Sequence, residues 1–223
     1  FMHRFGAGHV ALGNQKDMDF GFINKDGYST LPSFDQSSAW TRQQDMMVRS
    51  MTGGKGRVVS VIEPLTNLAI TKILHTRYPD LASYQVSCDC LDASDEKRWC
   101  HDCNKCARLF LFMKAFGIDP KRAGFSRNLM QKRYRRLYSI FSEVDAYEKS
   151  AEARDQQLLA FLLAYRNGER GGLIELFRRS FLDEAKERED QLMRRFLSVY
   201  PAENMPKKMF REVKSIYEEE LET

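Results

Sequence analysis

The sequence lacks an apolar run long enough to span a bilayer, which takes about 20 residues in an α-helix. Its first residues, FMHRFGAGHVALG, also lack the apolar stretch and cleavage site of a signal peptide. It has no internal repeat and no low-complexity segment, and the net charge of +4 is too mild to require a nucleic-acid partner. We therefore expect a globular cytoplasmic protein with no membrane partner.

Cysteine is absent everywhere except in one short segment, CDCLDASDEKRWCHDCNKC, which holds all five. Structural disulfides are not expected, because the cytosol keeps thiols reduced. Cys100, Cys103 and Cys106 form two overlapping CxxC steps, in which a tight turn brings thiols at i and i+3 to one ion. Either Cys88 or Cys90 can supply the fourth ligand that zinc prefers. The spacing therefore predicts a structural zinc site.

Two other interpretations of the cysteines stay open. An iron–sulfur cluster also uses CxxCxxC with a distant cysteine, although the proline that often follows the last ferredoxin cysteine is absent. The thiols can also be buried or free with no metal at all. His101 lies between two cysteines and is a bystander if four thiols complete the site, and a closed zinc shell leaves no thiolate for catalysis.

Strand and helix signals alternate in the first half of the chain. Short apolar runs at Val10–Leu12 and at 57–62 predict strands, and Tyr84–Val86 is a possible third. A helix is predicted at 36–51 with Ser37 or Ser38 as its cap. Two more helices are predicted, one within residues 64–79 after a Thr66 cap and one at 105–117.

The second half lacks cysteine and convincing strands. Its breaks and periodicity predict helices at about 127–141, 146–167, 172–181, 183–199 and 206–221. Apolar residues such as Leu158 and Phe161 form a wide face, so these helices should pack into a bundle. We therefore predict an α/β portion at residues 1–118 followed by an all-α helical extension at 119–223.

Residues 121–136 are the most basic stretch of the chain. With Tyr134 and Tyr138 interleaved, this stretch can hold phosphate or RNA, or it can be an ordinary solvated face. Its basic residues are Lys121, Arg122, Arg127, Lys132, Arg133, Arg135 and Arg136.

Three carboxylates lie at helical spacing in the predicted helix 146–167, namely Glu148, Glu152 and Asp155. They can face a substrate. We favour a solvated helix face that they share with Lys149 and Arg154.

The segment RWCHDCNKCARLFLFMKAFG resembles a motif in one branch of the PP-loop ATP pyrophosphatase-like proteins, the ATP-dependent epimerases of UDP-N-acetylmuramoyl-L-alanyl-L-glutamate. That motif is Arg-Trp-Cys-x-x-Cys-x-Lys-Cys followed by an apolar helix. ALGNQKDMD at 11–19 is similar to the family's Gly-Asn-Glu loop, with Gln15 in place of glutamate. FDQSSAW at 34–40 looks like its Asn-His-Gln-x-Ser-Lys-Ser segment, with Asp35 in place of histidine. SVIEPLTNLAITKIL is similar to its Ser-x-x-x-Pro-Leu-Ser-Glu-Leu-x-Ile stretch.

The cysteine segment, residues 87–106, is also similar to the zinc site of 7-cyano-7-deazaguanine synthase, another PP-loop enzyme. One upstream cysteine of that enzyme follows a serine, which favours Cys88 in SCDC over Cys90. The resemblance therefore implies a four-cysteine zinc site formed by Cys88, Cys100, Cys103 and Cys106.

The resemblance covers roughly residues 9–118 and implies an incomplete PP-loop-like parallel-sheet domain. The ATP-binding Ser-Gly-Gly-x-Asp-Ser loop, which these families carry upstream, is not in the sequence. TGGKG at 52–56 lacks the Asp-Ser and follows a helix, so we interpret it as a turn. The epimerases' C-terminal Lys-Pro-Phe-Glu-Cys-Val-Gly segment is missing as well. We expect the chain to be the C-terminal part of a longer protein.

The complete protein is then expected to activate a carboxylate with ATP and Mg²⁺ through an acyl-adenylate, on a peptidoglycan-precursor-like or other amino-acid-containing small molecule. Ligands of α/β sheets bind beyond the carboxyl ends of strands. The residues predicted to bind substrate or nucleotide are Asn14, Gln15, Asp17, Gln36 and Ser38. The alternative is a non-catalytic zinc-bearing module that binds RNA or a protein through residues 121–136.

Overall fold

The computed structural model describes residues 2–24, 26–88, 90, 98–141 and 151–222, apart from the side chains of residues 2, 3 and 151. Internal contacts divide the chain into two compact units, one made of residues 1–70 and 197–223 and the other of residues 71–196. The division predicted after residue 118 does not coincide with these units. Among the described helices, none is both long enough and apolar enough to cross a membrane.

The helices and strands alternate only in the first part of the chain. In chain order they are α1 Met2–Phe5, β1 His9–Leu12, β2 Phe22–Ile23, β3 Ser29–Thr30, α2 Ser38–Met51, β4 Arg57–Ser60, α3 Asn67–Arg77, α4 Pro79–Ala82, α5 Asn104–Ala115, α6 Ala151–Arg166, α7 Gly172–Ser180, α8 Leu182–Glu187, α9 Glu189–Phe196 and α10 Lys207–Glu222. Short 3₁₀ turns lie at Lys16–Asp19, Phe34–Gln36, Pro120–Ala123, Lys132–Leu137 and Ser139–Phe141.

The first unit is built on two parallel strands. β1 pairs with β4, with Val10 opposite Val58, and α2 lies between them in the chain. These two predicted strands are confirmed, as is the turn at 52–56, where Gly53 and Gly54 have φ of 58° and 81°. No strand forms at 84–86: Tyr84 and Val86 are 80% and 58% exposed, so neither side chain contributes to a buried sheet face.

Helix α2 confirms the helix predicted at 36–51, and Ser37 is its cap because its Oγ accepts a hydrogen bond from the Trp40 N–H at 3.2 Å. Its buried positions are polar. The Asp45 carboxylate accepts hydrogen bonds from Arg57 Nε at 2.9 Å and from the Val58 N–H at 2.8 Å. These bonds fix the helix to the start of β4.

The C-terminal segment packs back onto the end of β4, so the predicted helix 206–221 is confirmed but belongs to the first unit. The Tyr217 hydroxyl donates to the Val61 carbonyl at 2.9 Å. Glu63 Oε1 accepts from the N–H of Glu203 at 3.0 Å and from Asn204 Nδ2 at 3.3 Å.

The core of the second unit is the contact between α5 and α6. Leu111, Phe112 and Met113 on α5 are fully buried, as are Leu158 and Phe161 on α6. The packing predicted for the apolar face of α6 is confirmed, but its main partner is α5, which lies in the predicted α/β portion, and α10 belongs to the first unit. Each such side chain contributes about 2–5 kcal/mol, judged by the usual cost of truncating a buried large apolar residue to alanine.

The prediction of an α-helix at 127–141 is wrong. Asn128 Oδ1 accepts from the Met130 N–H at 2.9 Å, and the buried Tyr138 hydroxyl donates to the Leu129 carbonyl at 3.0 Å. The Met130 carbonyl accepts from the N–H of Leu173 at 2.8 Å. Because these bonds engage backbone groups that an α-helix would use, the segment folds into short 3₁₀ turns.

The carboxylates of α6 are not on a solvated face, so that interpretation is wrong for the two that are described. Asp155 is buried and forms a two-bond ion pair with Arg188 on the α8–α9 segment. Glu152 Oε1 lies 2.6 Å from Arg195 Nη2. Residues 142–150, which include Glu148 and Lys149, lie outside the described residues. The predicted helix 183–199 is divided at Arg188 into α8 and α9.

We predict that Glu63→Gln becomes more stable relative to the unsubstituted protein as pH rises. Burial, with Asp19 nearby, raises the pKa of Glu63 above its ordinary value, against the hydrogen bonds from residues 203–204. A carboxyl whose folded pKa is raised stabilises the fold below its unfolded pKa, and that stability is lost as pH rises through the folded pKa. Urea unfolding between pH 4 and pH 7.5 measures the difference in free energy of unfolding.

The control for this prediction is Glu212→Gln, which removes an exposed carboxylate from α10. The same pH trend in both variants would contradict the role given to burial at Glu63.

Candidate metal centre

Four cysteine sulfur atoms come together in the second unit. The Sγ atoms of Cys88, Cys100, Cys103 and Cys106 all lie within 4.8 Å of one another. The Sγ atoms of Cys100 and Cys106 are 3.7 Å apart. Zinc–sulfur bonds of about 2.3 Å place the sulfurs of a tetrahedral site about 3.8 Å apart. The four thiols can therefore hold one metal ion without a large rearrangement.

The start of α5 positions two of the four thiols. Cys103 is the N-cap residue of α5, and its Sγ accepts from the Cys106 N–H at 3.4 Å. The Cys100 Sγ accepts from the Asp102 N–H at 3.4 Å. Backbone N–H donors and the positive end of a helix dipole both favour the thiolate, which is the form that binds metal.

His101 turns the chain between these thiols. It is the one described non-glycine residue with positive φ, at 60°, a backbone conformation that is uncommon outside glycine but that asparagine, aspartate and histidine adopt more often than other residues. Its buried ring accepts at Nε2 from the Ser126 N–H at 3.1 Å, which places the proton of the neutral ring on Nδ1. Burial first, and then the charge of Arg127, lowers the pKa of His101. The ring thus anchors the loop and is not among the grouped ligands.

Trp99 anchors the same loop from its other side. The side chain is 1% exposed, stacks on Phe125 with ring centroids 4.3 Å apart, and donates from Nε1 to the Ala123 carbonyl at 2.7 Å. Together with His101, it ties the cysteine loop to residues 123–126. Sequence spacing gave no sign of this contact, because the two segments are 24 residues apart at their closest hydrogen bond.

The thiols differ in how readily they ionise. Desolvation opposes ionisation of Cys88, but hydrogen bonds from the backbone of Cys100 and Cys90 prevail and lower its pKa to about 7. Burial, together with the neighbouring thiols, raises the pKa of Cys106 far above its ordinary value. A bound cation would displace these protons, so metal binding would be coupled to proton release.

Cys90 is exposed and is not among the four grouped thiols. Its exposure contrasts with Cys88, which is half-buried beside Cys100. The geometry therefore makes Cys88 the better-placed fourth ligand.

The residues predicted to bind a ligand are placed in the first unit. The Asn14 amide donates from Nδ2 to Thr41 Oγ1 at 2.8 Å. Asp17 Oδ2 accepts from the Asn67 N–H at 2.5 Å, at the first residue of α3. Asn14 and Asp17 thus hold neighbouring elements together, in the region just beyond the ends of β1 and β4.

Gln15, Gln36 and Ser38 are less engaged. Gln15 is half-buried, Gln36 is exposed, and the Ser38 N–H donates to Asp19 Oδ1 at 2.8 Å. Sequence reasoning did not single out Asp19, although it forms the N-terminal contact of α2, or Lys16, whose Nζ lies 3.5 Å from Asp19 Oδ2. The sequence carries no signal for these roles, because α2 and α3 both begin 19 residues or more after Asp19 and are contacted only through the fold.

The basic stretch 121–136 exposes all seven of its basic side chains. Within the described residues, only Arg136 forms an ion pair, with Asp102 Oδ1 at 2.5 Å. Tyr134 and Tyr138 are 7% and 0% exposed, so they cannot stack on bases, contrary to the interleaving expected from the sequence. What the stretch offers a ligand is positive charge.

Comparison with protein-family models, with curated proteins and with solved structures found no match for the chain.

We predict that Cys88→Ser lowers the metal content of the purified protein well below one ion per chain, because it removes one of the four grouped sulfurs. Cys90→Ser is the matched control, since it removes a thiol from the same segment and should leave one ion per chain. Elemental analysis gives the number of metal ions per chain in both variants, relative to the measured protein concentration. Metal loss from Cys90→Ser with retention in Cys88→Ser would reverse the assignment of the fourth ligand.

Proposed function

We propose that the four grouped cysteines bind one structural zinc ion, and that this ion fixes the cysteine loop in its folded form. The observation that carries the proposal is the mutual approach of the four sulfurs to within 4.8 Å. Four thiolates complete the tetrahedral shell of a structural zinc and leave no open position for catalysis.

Sulfur spacing favours zinc over an iron–sulfur cluster. A four-iron cluster places one iron behind each cysteine and so separates the cysteine sulfurs more widely than a single ion does. The 3.7 Å between the Sγ atoms of Cys100 and Cys106 suits ligands that share one ion. Zinc would also make the fold depend on metal, because binding free energy adds to folding free energy.

For the whole protein we propose an ATP-dependent, carboxylate-activating enzyme of the PP-loop class, to which this chain contributes the C-terminal portion. Support comes from the parallel pair β1 and β4, joined through α2, with polar loops beyond their carboxyl ends. ATP, Mg²⁺ and a small amino-acid-containing carboxylate would be its ligands. Gln15, Gln36 and Ser38 would lie nearest to them, because the side chains of Asn14 and Asp17 are already bonded internally.

The test is ATP–pyrophosphate exchange by the full-length protein with amino-acid-containing carboxylates, including muramoyl dipeptide precursors. We expect labelled pyrophosphate to enter ATP only when a substrate carboxylate is present. Gln15→Ala should lower the exchange rate roughly tenfold, the effect of losing one hydrogen bond to a charged group. Gln43→Ala, an exposed change on α2, is the control. A full-length protein that supports no exchange with any of these carboxylates would rule out this activity.

A second candidate function is RNA binding through residues 121–136, favoured by seven exposed basic side chains with a single ion pair among them in the described chain. Such binding would weaken steeply with salt, because each phosphate contact releases counterions. Charge reversal of Arg133 and Arg136 together should abolish it, as measured by fluorescence anisotropy of a labelled single-stranded RNA. If the RNA affinity changes neither with salt concentration nor with charge reversal, RNA binding through this stretch is ruled out.

A further inference from the structure

Two adjoining cavities open beside the candidate metal centre. The first, about 280 Å³, is lined by Arg98, Gly124, Ser126 and Arg127 among others. The second, about 340 Å³, shares Ser126 and Arg127 with the first and adds Phe110, Phe125 and Lys121 among others. Arg127 therefore lies at the boundary between a polar cavity and one with aromatic walls.

The charge around these cavities is largely uncompensated. Arg98 and Arg127 form no ion pair with any carboxylate of the described residues, and Lys121 forms none either. Lys114, by contrast, is paired with Glu169 at 2.8 Å. One carboxylate, Asp119, lines the second cavity, and its Oδ1 accepts from the Lys121 N–H at 3.1 Å. The cavities thus carry a positive charge that the described part of the protein does not use.

The guanidinium of Arg98 is held in place. Its Nη2 donates to the Gln85 carbonyl at 2.7 Å. Gly124 faces the same group: a Cβ at that position would lie 3.2 Å from Arg98 Nη1, and its φ of 90° also favours glycine. The loop that Trp99 and His101 anchor therefore presents an ordered cation to the first cavity. An ordered guanidinium loses less conformational entropy when it binds an anion.

We propose that these cavities bind the phosphate group of a phosphorylated small molecule, a class to which mononucleotides belong. Its phosphate group would lie in the first cavity between Arg98 and Arg127, since guanidinium groups match phosphate oxygens geometrically. The inference concerns binding and is independent of the activity proposed above.

The experiment is isothermal titration of the zinc-loaded chain with inorganic phosphate and with AMP. Arg127→Glu should weaken binding of both by about tenfold or more, the size expected for loss of a charge-assisted hydrogen bond. Arg127 is exposed, so the substitution should leave metal content and the urea midpoint unchanged, and both are measured alongside. AMP and inorganic phosphate should both bind, because the proposed contacts are made to the phosphate group.

Arg211→Glu is the matched control, because Arg211 is an exposed arginine on α10 and the change in net charge is the same. It should alter AMP affinity less than twofold. The proposal is overturned if neither phosphate nor AMP binds, or if the two substitutions weaken binding equally, since a general charge effect would then be sufficient.

A competing single-stranded RNA distinguishes the source of the phosphate. RNA that leaves AMP binding unchanged supports a small-molecule ligand. If RNA displaces AMP and Arg127→Glu weakens the binding of both, the phosphate site is supported, and its phosphate belongs to a polynucleotide.

Discussion

Four thiol groups packed to within 4.8 Å of one another cannot all ionise unless a cation lies among them, because four negative charges at that spacing repel strongly. The Asp102 N–H just before α5, the Cys106 N–H in its first turn and the positive end of the helix reduce this repulsion in advance. Protonated thiols can remain together without metal, but the arrangement is most stable when a cation replaces the protons. Charge repulsion therefore limits how closely these sulfurs can approach as thiolates, and a bound cation would relieve that limit.

The residues between the thiols hold the cysteine loop against a neighbouring turn. Trp99 and His101 reach the turn at residues 123–126 from opposite sides of the loop, one through ring stacking and one through an accepted hydrogen bond. The same turn presents Ser126 and Arg127 to the neighbouring cavities. The cysteine group, the two aromatic anchors and the basic cavities are thus connected through residues 123–126.

Local patterns predicted well wherever local chemistry decides the structure. CxxCxxC spacing predicted which thiols meet at the start of α5, and the Ser37 cap and the glycine pair at 53–54 predicted the two ends of α2. Prediction failed where partners lie far away in the chain. Asp155 is buried because Arg188 pairs with it, 33 residues away, and periodicity alone cannot reveal that partner. The segment 127–141 has helical propensity, but Asn128, Tyr138 and the distant Leu173 N–H engage its backbone instead.

The loop at residues 16–19 holds two carboxylates that are each committed to a different helix: Asp17 accepts from the first N–H of α3, and Asp19 from the first N–H of α2. Moving this loop would remove one hydrogen bond from the first turn of each helix, at a cost of about 1 kcal/mol for each bond, while Ser37 would still cap α2. The loop is therefore bonded to the starts of both helices, although it is a connection after a strand. A molecule that bound against this loop would contact a surface that hydrogen bonds already hold in place. Little of the binding free energy would then be lost to ordering the protein.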